Sequence, residues 1–360
     1  MKPALVGHRL RSQLLDGAPS ADGAAAVAHL GAVQSQLHDM SLWALSGRTG
    51  RTRAQLAQEF DDGAFVRTHV LRPTWHHVLL ADLPDLLALT ADRVRRSLDS
   101  GSREAGLPPA GRAAAAEMIA GAVRAHGPLT RAEVAAHLTA AGLPGPNGRW
   151  TSQPLGHALM EAEQSGRIGS GPLRGKQHTY RALDPPTSGR THEERLAWLA
   201  RTYVRGHGPA APEDFAWWTL LPVTVARQAF ALAGLRPVTV ASIDLFTGGD
   251  ADPEAVDVPA AMLLANFDEL ISYRRDPHDW GPQGTDAVLR AQGLLLLDGA
   301  LAGSWTRAET AKAVTVTVTT PLALTARHRA ALESEAERFG RFAGLPTTLR
   351  VENGSVVEKD

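Results

Sequence analysis

Two glutamines stand one residue apart in the stretch HLGAVQSQLHDM (29–40), and their amides are the first candidates for chemistry. An amide neither ionises nor attacks an electrophile. However, Gln34 and Gln36 each carry a carbonyl oxygen that accepts hydrogen bonds and an NH2 group that donates them. Two such groups that face one point could hold a single water molecule. Whether they do so depends on the local backbone.

The backbone between residues 31 and 37 is predicted to be extended. In one continuous helix, Gln34 and Gln36 would point about 200° apart. The sequence instead predicts a helix over 21–30 that Gly31 ends, and a second helix over 39–48 that Asp39 caps. In an extended segment, residues i and i+2 lie on the same side, so both amides could reach one point. The alternative is a surface or structural role, which most glutamine pairs have.

Other chemistry-bearing residues lie in RPTWHH (72–77) and near residue 268. Trp75 could stack on a base, and His76 or His77 could bind phosphate or sugar, with core packing as the alternative. Strand alternation sends His76 and His77 to opposite faces, so at most one of them faces a site. Paired carboxylates for glycoside chemistry are conceivable at Asp268, Glu269 and Asp276.

Metal and cofactor chemistry have no sequence signature. The chain has 14 histidines and no cysteine. No two histidines have the spacing of a helical zinc motif, and no glycine-rich phosphate loop is present. We therefore predict no metal and no cofactor.

The composition indicates a globular protein with more than one domain. The 360 residues are 44% hydrophobic and 21% charged, with no apolar run long enough for a membrane span and no secretory signal at the start. The lack of cysteine fits a cytoplasmic location. Net charge is −1 overall, but residues 101–240 carry +5 and residues 241–360 carry −7. A polyanion could therefore meet one face of the molecule.

The pattern of helices and turns predicts a repeated unit. Residues 112–183 predict three helices and a hairpin, with Thr130 and Glu133 forming a capping box, and this is a winged-helix arrangement. A helix start like that at 129–138 recurs at 51–60 and 210–219, which predicts three tandem winged-helix units.

After residue 250 the predicted elements change to strands. The stretch AVTVTVTT (313–320) alternates as a half-buried strand does, and a helix follows over 328–344. A small β-barrel, or a sheet with a covering helix, is expected. The fold class is thus mixed α/β (α+β), with domains at 1–105, 106–187, 188–250 and 251–360.

Five motifs resemble those of the winged-helix DNA glycosylases typified by YcaQ and AlkZ, in the family's order along nearly the full chain. They are GAVQSQ (31–36), LRPTWHHV (71–78), DFAWWTLL (214–221), NFDELISYRRDP (266–277) and DGALAGSW (298–305). The family's catalytic element is glutamine–X–acid or glutamine–X–glutamine, and Gln34 and Gln36 match the second form. Ser35 departs from the usual aliphatic middle residue.

The resemblance implies a monofunctional DNA glycosylase that removes bulky N7-alkylguanine or unhooks interstrand crosslinks, either in repair or in self-resistance to an alkylating natural product. It also implies a C-shaped clamp on double-stranded DNA. Thr74, Trp75 and His76 would support the site. Asp268 would be hydrogen-bonded scaffolding. Trp217 and Trp218 are expected to serve in core or inter-domain packing, with exposed stacking on DNA as the alternative. No lysine lies near the pair in sequence, the nearest being Lys2, so no lyase step is expected.

Four cations are the candidates for DNA contact, and a solvated turn is the alternative for those on the predicted wing. They are Arg72, Arg167, Arg174 and Lys176. We expect a monomer, since no heptad dimerisation helix is visible. The alternative function is a non-enzymatic winged-helix DNA-binding regulator. A scaffold without nucleic acid is a third possibility.

Overall fold

A mixed α/β fold is seen in the computed structural model, which describes residues 3–248, 257–273 and 292–354. The helices are α1 (Pro3–Ser12), α2 (Gly23–Leu30), α3 (His38–Thr49), α4 (Arg53–Asp61), α5 (Leu83–Ser97), α6 (Asp99–Glu104), α7 (Pro109–His126), α8 (Arg131–Ala140), α9 (Ser152–Gln164), α10 (His192–His207), α11 (Pro212–Thr219), α12 (Val223–Ala233) and α13 (Ala326–Ala343). Short 3-10 helices lie at Pro146–Gly148 and Glu269–Ile271.

The β-strands fall into four groups that are separate along the chain. They are β1 (Val33–Gln34), β2 (Val66–His69), β3 (Trp75–Val78), β4 (Leu129–Thr130), β5 (Ile168–Arg174), β6 (Gln177–Ala182), β7 (Arg236–Val240), β8 (Ile243–Thr247), β9 (Ala261–Leu264), β10 (Gly293–Leu297), β11 (Ala300–Glu309), β12 (Val314–Thr320) and β13 (Thr347–Asn353).

One order of elements recurs along the chain: helix, short strand, two helices, then a hairpin. It is α2-β1-α3-α4-β2-β3 in the first segment and α7-β4-α8-α9-β5-β6 in the second. In both, the short strand pairs with the last strand of the hairpin, giving the sheet orders β1-β3-β2 and β4-β6-β5. In the third segment, α10 to β8, a single bridge from Ala210 to Phe246 takes the place of the short strand. Three helices and a hairpin over 112–183 were predicted from sequence.

Helix starts are set by local capping. Thr130 and Glu133 form the predicted capping box of α8, and Thr52 with Gln55 does the same for α4.

The position of α4 differs from the prediction. The stretch 51–60 was expected to repeat the second helix of the unit, but α4 is the third helix of its segment, because α3 already fills the second position. A shared capping signal identifies a helix start without fixing its place in the order.

The C-terminal strands form an open sheet in the described residues. Its order is β13-β12-β11-β10-β9, with β9 and β13 at the edges, so the expected β-barrel is not found there. The alternation of β12 is confirmed: Val314, Val316 and Val318 are buried and the intervening threonines are half-buried. Helix α13 covers one face, so the sheet with a covering helix is the observed form.

An aromatic cluster joins the first segment to this sheet. Trp43 of α3 contacts Trp305 of β11, and both contact Phe339 of α13, with ring centroids 5.0–6.1 Å apart. The indole N–H of Trp43 donates to the carbonyl of Leu263 at 2.8 Å. Such buried rings fix α3 firmly against the sheet. The start of α3 and the strand before it are thereby held in place.

The predicted domain boundaries remain predictions. Residues 105 and 187 fall between helices and strands, and residue 250 lies outside the described residues, as does most of the predicted linker 250–258. Across the described part of the chain, none of the helices combines the length and apolar character that a membrane crossing requires.

Candidate active site

The predicted break between two helices is present at the glutamine pair. Helix α2 ends at Leu30, and Gly31 adopts φ 81° after it, a value that favours glycine. Gln34 lies in β1, and the N–H of Ser35 continues the pairing by donating to the carbonyl of Trp75 at 2.6 Å. Asp39 does not cap α3 as expected. The N-cap is Leu37, and Asp39 instead forms ion pairs with Arg53 and Arg307 at 2.9 and 2.6 Å.

Gln34 is held at both its main chain and its side chain. It is 9% exposed. Its peptide N–H donates to Glu269 Oε1 at 2.7 Å, and its side-chain Oε1 accepts from Arg72 Nη2 at 3.0 Å. Both contacts come from residues distant in sequence. The Gln34 side chain is therefore oriented by the tertiary structure.

Gln36 is exposed at a cavity of about 560 Å³. The cavity walls combine apolar side chains with the cations of three separate parts of the chain. They are Gln36, Leu37, His38, Asp39, Met40, Leu42, Arg53, Ala57, Leu173, Lys176, His178, Asn266, Gln292, Gly293, Trp305, Thr306 and Arg307. A pocket of this size and mixed character suits a small organic group.

Ser35 faces away from the cavity and has polar partners behind the pair. Its Oγ lies 2.8 Å from Ser41 Oγ and 3.0 Å from His77 Nε2, and it accepts from Arg67 Nε at 3.1 Å. The serine is fully buried. Ser35 stands where the family usually has an aliphatic residue, and its buried hydroxyl group has hydrogen-bond partners in this chain.

Glu269 is a buried carboxylate directly behind the strand that carries Gln34. Besides Gln34, it accepts from His207 Nε2 at 3.0 Å and Trp218 Nε1 at 3.1 Å. Burial alone would raise its pKa, but the hydrogen bond and charge of His207, the nearby His76 and the Gln34 N–H together hold the pKa at about 2. Glu269 is ionised at neutral pH and anchors β1.

From the sequence, Glu269 was one of three carboxylates that could take part in glycoside chemistry. Its role as the anchor of β1 was not predicted. The available signal was the carboxylate pair inside an otherwise apolar motif. Its neighbour Asp268 is scaffolding, as expected: it binds Arg48 through two bonds of 2.8 and 3.1 Å. Asp276 lies outside the described residues.

Arg72 lies against Gln34 and Trp217. Its guanidinium carbon is 4.4 Å from the centroid of the Trp217 ring, which is within cation–π range. Trp217 is 37% exposed, whereas Trp218 is fully buried. Burial lowers the pKa of Arg72, although the nearby Glu269 opposes this. In the described structure Arg72 is engaged by the protein itself.

His76 shares the face of Gln34. The two residues are paired across the β1–β3 ladder, and directly paired residues point to the same side of a sheet. His76 is fully buried, and burial together with the charge of Arg72 lowers its pKa to about 3. Its Nδ1 lies 3.0 Å from the carbonyl of Thr74 and therefore carries the proton, which leaves Nε2 as a bare acceptor.

His77 points to the other face, as the alternation predicted. It packs against Phe65 and Phe60 and is fully buried. Trp75 donates to Glu163 Oε1 at 3.3 Å and packs against His69, with centroids 4.1 Å apart and the rings tilted. Thr74 contributes its carbonyl to His76, and its buried hydroxyl has no protein partner in the described residues.

The three wing cations have different surroundings. Arg167 was expected on the wing, but it precedes β5 at the base of the hairpin and pairs with Glu117 of α7. Arg174 pairs with Glu133 at 2.6 Å. Lys176 occupies the turn between β5 and β6, is exposed, and lines the same cavity as Gln36. Lys2 is the nearest lysine to the glutamine pair along the chain, but the fold brings Lys176 to the same cavity as Gln36.

A family model described as DNA glycosylase AlkZ-like matches residues 27–342 of this chain. The chain belongs to the AlkZ-like family of DNA glycosylases. The family resemblance deduced from the motifs is confirmed, and an enzyme of DNA repair is favoured over the alternative of a non-enzymatic regulator. The Streptomyces sahachiroi DNA glycosylase AlkZ is a solved structure with TM-score 0.80 and 22% sequence identity, covering 98% of this chain and 99% of that chain. At this identity the likeness establishes the fold. No curated protein sequence gives a match.

Proposed function

We propose that this DNA glycosylase is monofunctional and hydrolyses the N-glycosidic bond of bulky N7-alkylguanine in double-stranded DNA, using a water molecule positioned by Gln34 and Gln36. Unhooking of interstrand crosslinks is included, because a crosslink through N7 presents the same bond. The observation that carries the proposal is the extended break at residues 31–37. It frees both amides from a helix and places Gln36 at a cavity of about 560 Å³.

The chemistry of the lesion makes a weak catalyst sufficient. Alkylation at N7 gives guanine a positive charge, so the base leaves as a neutral molecule once the bond to C1′ breaks. The enzyme must then hold water near C1′ and tolerate positive charge on the sugar. An amide oxygen can accept the water's hydrogen bond and stabilise that charge through its dipole, and an amide NH2 group can donate a hydrogen bond to the same water. Positioning alone lowers such barriers by about 7 kcal/mol in favourable cases.

The expected selectivity for cationic bases follows from the lack of a group that can protonate the leaving base. Neither Gln34 nor Gln36 can protonate a leaving base, and buried His76 is held neutral by its low pKa of about 3. Unmodified purines leave as anions unless they are protonated. We therefore expect this enzyme to act slowly on undamaged guanine and adenine.

Binding of duplex DNA is proposed to use the recurring helical segments. We infer that the three segments are winged-helix units, because each ends in a hairpin whose last strand pairs with the short strand or bridge before the second helix. The exposed hairpin turn at Lys176 would contact phosphate. A clamp around the duplex, a monomeric state and a cytoplasmic location are further predictions, as is the biological setting of self-resistance or general repair.

The test is base release from DNA that carries N7-methylguanine, with a nitrogen-mustard crosslink as a second substrate. Abasic sites are cleaved with alkali and the products separated. We expect release by the wild type, and a loss of about 100-fold or more in Gln34→Ala and Gln36→Ala, because each removes a ligand of the water. His192→Gln, on an exposed helix start, is the control.

Two outcomes would contradict the proposal. Full base release by both alanine variants would exclude the glutamines from the reaction. Strand cleavage without alkali, together with borohydride trapping of the enzyme that is lost in Lys176→Gln, would show a lyase step and exclude the monofunctional assignment.

A further inference from the structure

The Arg72 guanidinium contacts one of the two candidate glutamines and an aromatic ring of the protein itself. The Arg72 side chain is partly buried, its Nη2 donates to Gln34 Oε1 at 3.0 Å, and its guanidinium lies over the Trp217 ring at 4.4 Å. In the described residues, its Nε is buried without a hydrogen-bond partner. Leaving a buried guanidinium N–H unpaired costs free energy. The unpaired Nε–H of Arg72 therefore lowers the stability of the fold, while the same guanidinium donates to Gln34.

The contact fixes which end of the Gln34 amide faces Arg72 and which end points away from it. A guanidinium only donates hydrogen bonds, so the oxygen of the Gln34 amide must face Arg72 and its NH2 group must point the other way. No hydrogen bond to this NH2 group is found within the described residues, and Gln34 as a whole is 9% exposed. The end of the Gln34 amide that points away from Arg72 is therefore a donor, whereas Gln36, which lines the cavity, has no such constraint.

We propose that Arg72, held against Trp217, is a positioning residue that orients Gln34 as the hydrogen-bond donor of the pair and leaves Gln36 as the acceptor. This inference rests on the proposed function. One water molecule then receives a hydrogen bond from the Gln34 NH2 group and donates one to the Gln36 carbonyl. Its remaining lone pair is free to face C1′.

The hydrolysis step balances with these roles. The water oxygen forms the new bond to C1′ while the bond from C1′ to N9 breaks. The electron pair of the broken bond stays on N9 and cancels the positive charge of the alkylated base. The water proton leaves along the hydrogen bond to Gln36 and passes to solvent, so no group of the protein changes its charge.

Arg72→Lys separates this role from a phosphate contact. Lysine keeps the positive charge, but it has no planar guanidinium to stack on Trp217. We expect the single-turnover rate of base release at saturating enzyme to fall about 10- to 100-fold while Kd for lesion-bearing DNA changes less than about threefold. Arg190→Lys is the matched control, because Arg190 also stacks on a tryptophan, Trp198, at 5.0 Å. A phosphate contact would give the reverse pattern, a higher Kd and an unchanged rate, and would overturn the proposal.

Trp217→Ala provides a second variant that does not remove a buried charge. Because Trp217 is partly exposed, its loss should leave the fold intact and loosen Arg72, with a smaller decrease in rate, of about threefold to tenfold. A Trp217→Ala enzyme with the wild-type rate would remove the tryptophan from the proposal. Restoration of much of the rate in Trp217→Phe is expected, since phenylalanine also accepts a cation on its face.

A matched pair of charge changes tests the division between donor and acceptor. Gln34→Glu removes the donor, whereas Gln36→Glu keeps an acceptor at the same place. We expect Gln34→Glu to lose at least about tenfold more activity than Gln36→Glu. Equal losses, or a greater loss in Gln36→Glu, would overturn the assignment of roles.

An NMR measurement decides the positioning independently of activity. The side-chain NH2 signals of Gln34, assigned by their absence in Gln34→Ala, should show a rigid amide in the wild type and faster motion in Arg72→Lys. If the wild type releases no base, the proposed function fails, and a rigid Gln34 amide that depends on Arg72 still supports the positioning. If the amide is equally mobile in both proteins, the positioning fails whatever the activity.

Discussion

At the scale of single residues, the neutral residue Gln34 has a cationic partner at its side chain and an anionic partner at its peptide N–H. The side-chain oxygen of Gln34 accepts a hydrogen bond from Arg72. Its peptide N–H donates one to Glu269, whose carboxyl group has a pKa of about 2 and is ionised. We expect these two charged partners to hold Gln34 in one orientation, while the groups proposed to touch water remain uncharged. In the proposed mechanism, the Gln36 carbonyl stabilises positive charge on the substrate, and no group of the protein transfers a proton in a charged form.

The rate of base release should accordingly be independent of pH. Amides do not titrate, and Glu269 stays ionised because its pKa of about 2 lies far below neutrality. We expect the single-turnover rate on N7-methylguanine DNA to change less than about twofold between pH 6.5 and pH 8.5. A rate that falls tenfold per pH unit below pH 7.5 would point to a titrating base in place of the amides.

At the scale of elements, the hairpin β2–β3 carries the polar interior of the first segment. His76 and His77 of β3 are fully buried, and His38 at the start of α3 is partly buried. Burial lowers the pKa of His38 and of His76 to about 3, and lowers that of His77 well below its ordinary value. These rings are neutral in the folded protein and would be charged in the unfolded chain below about pH 6.5.

The protein should therefore be sensitive to acid. As pH falls below 6.5, these three histidines bind protons in the unfolded chain but not in the folded protein. The stability present above pH 6.5 is therefore lost progressively. Between pH 7.5 and pH 5.5, we expect the free energy of unfolding to fall by about 4 kcal/mol, or about 1.4 kcal/mol for each histidine.

Urea unfolding at the two pH values measures this loss. The variant His38→Gln should reduce it by about a third, while the exposed control His192→Gln should leave it unchanged. The same pH dependence in His38→Gln and in the wild type would show that this histidine is not held neutral.

At the scale of the whole molecule, the cavity beside Gln36 is assembled from parts of the chain far apart in sequence. Helices α3 and α4 supply one wall, the β5–β6 turn another, and strand β11 a third. Arg53, Asp39, Arg307 and Glu309 form a ring of ion pairs with contacts of 2.6–3.3 Å that ties the helices to the sheet. Lys176 lies outside this ring, and within the described residues no ion pair engages it, so we propose that it meets a phosphate.

Lys176→Gln should weaken DNA binding in a salt-dependent way. A lysine that contacts one phosphate releases about one counterion, so the slope of log K against log salt should become shallower by about 1. The effect should be equal for damaged and undamaged duplexes, because phosphate contacts carry no sequence information. Fluorescence anisotropy over a salt series measures this, with Arg329→Gln on an exposed face of α13 as the control of equal charge. An unchanged slope would remove Lys176 from the DNA interface.

The sequence by itself determined the features that depend on neighbouring residues. Gly31 ended α2, Thr130 and Glu133 capped α8, and the alternation of β12 and of His76 with His77 followed from periods that chain stereochemistry imposes. Only the tertiary structure decided what surrounds the glutamines. Glu269 is 235 residues from Gln34, Arg72 is 38 residues away, and Lys176 reaches the cavity from another segment. Local stereochemistry is encoded within a few residues, whereas the orientation of a side chain depends on charges that folding brings next to it.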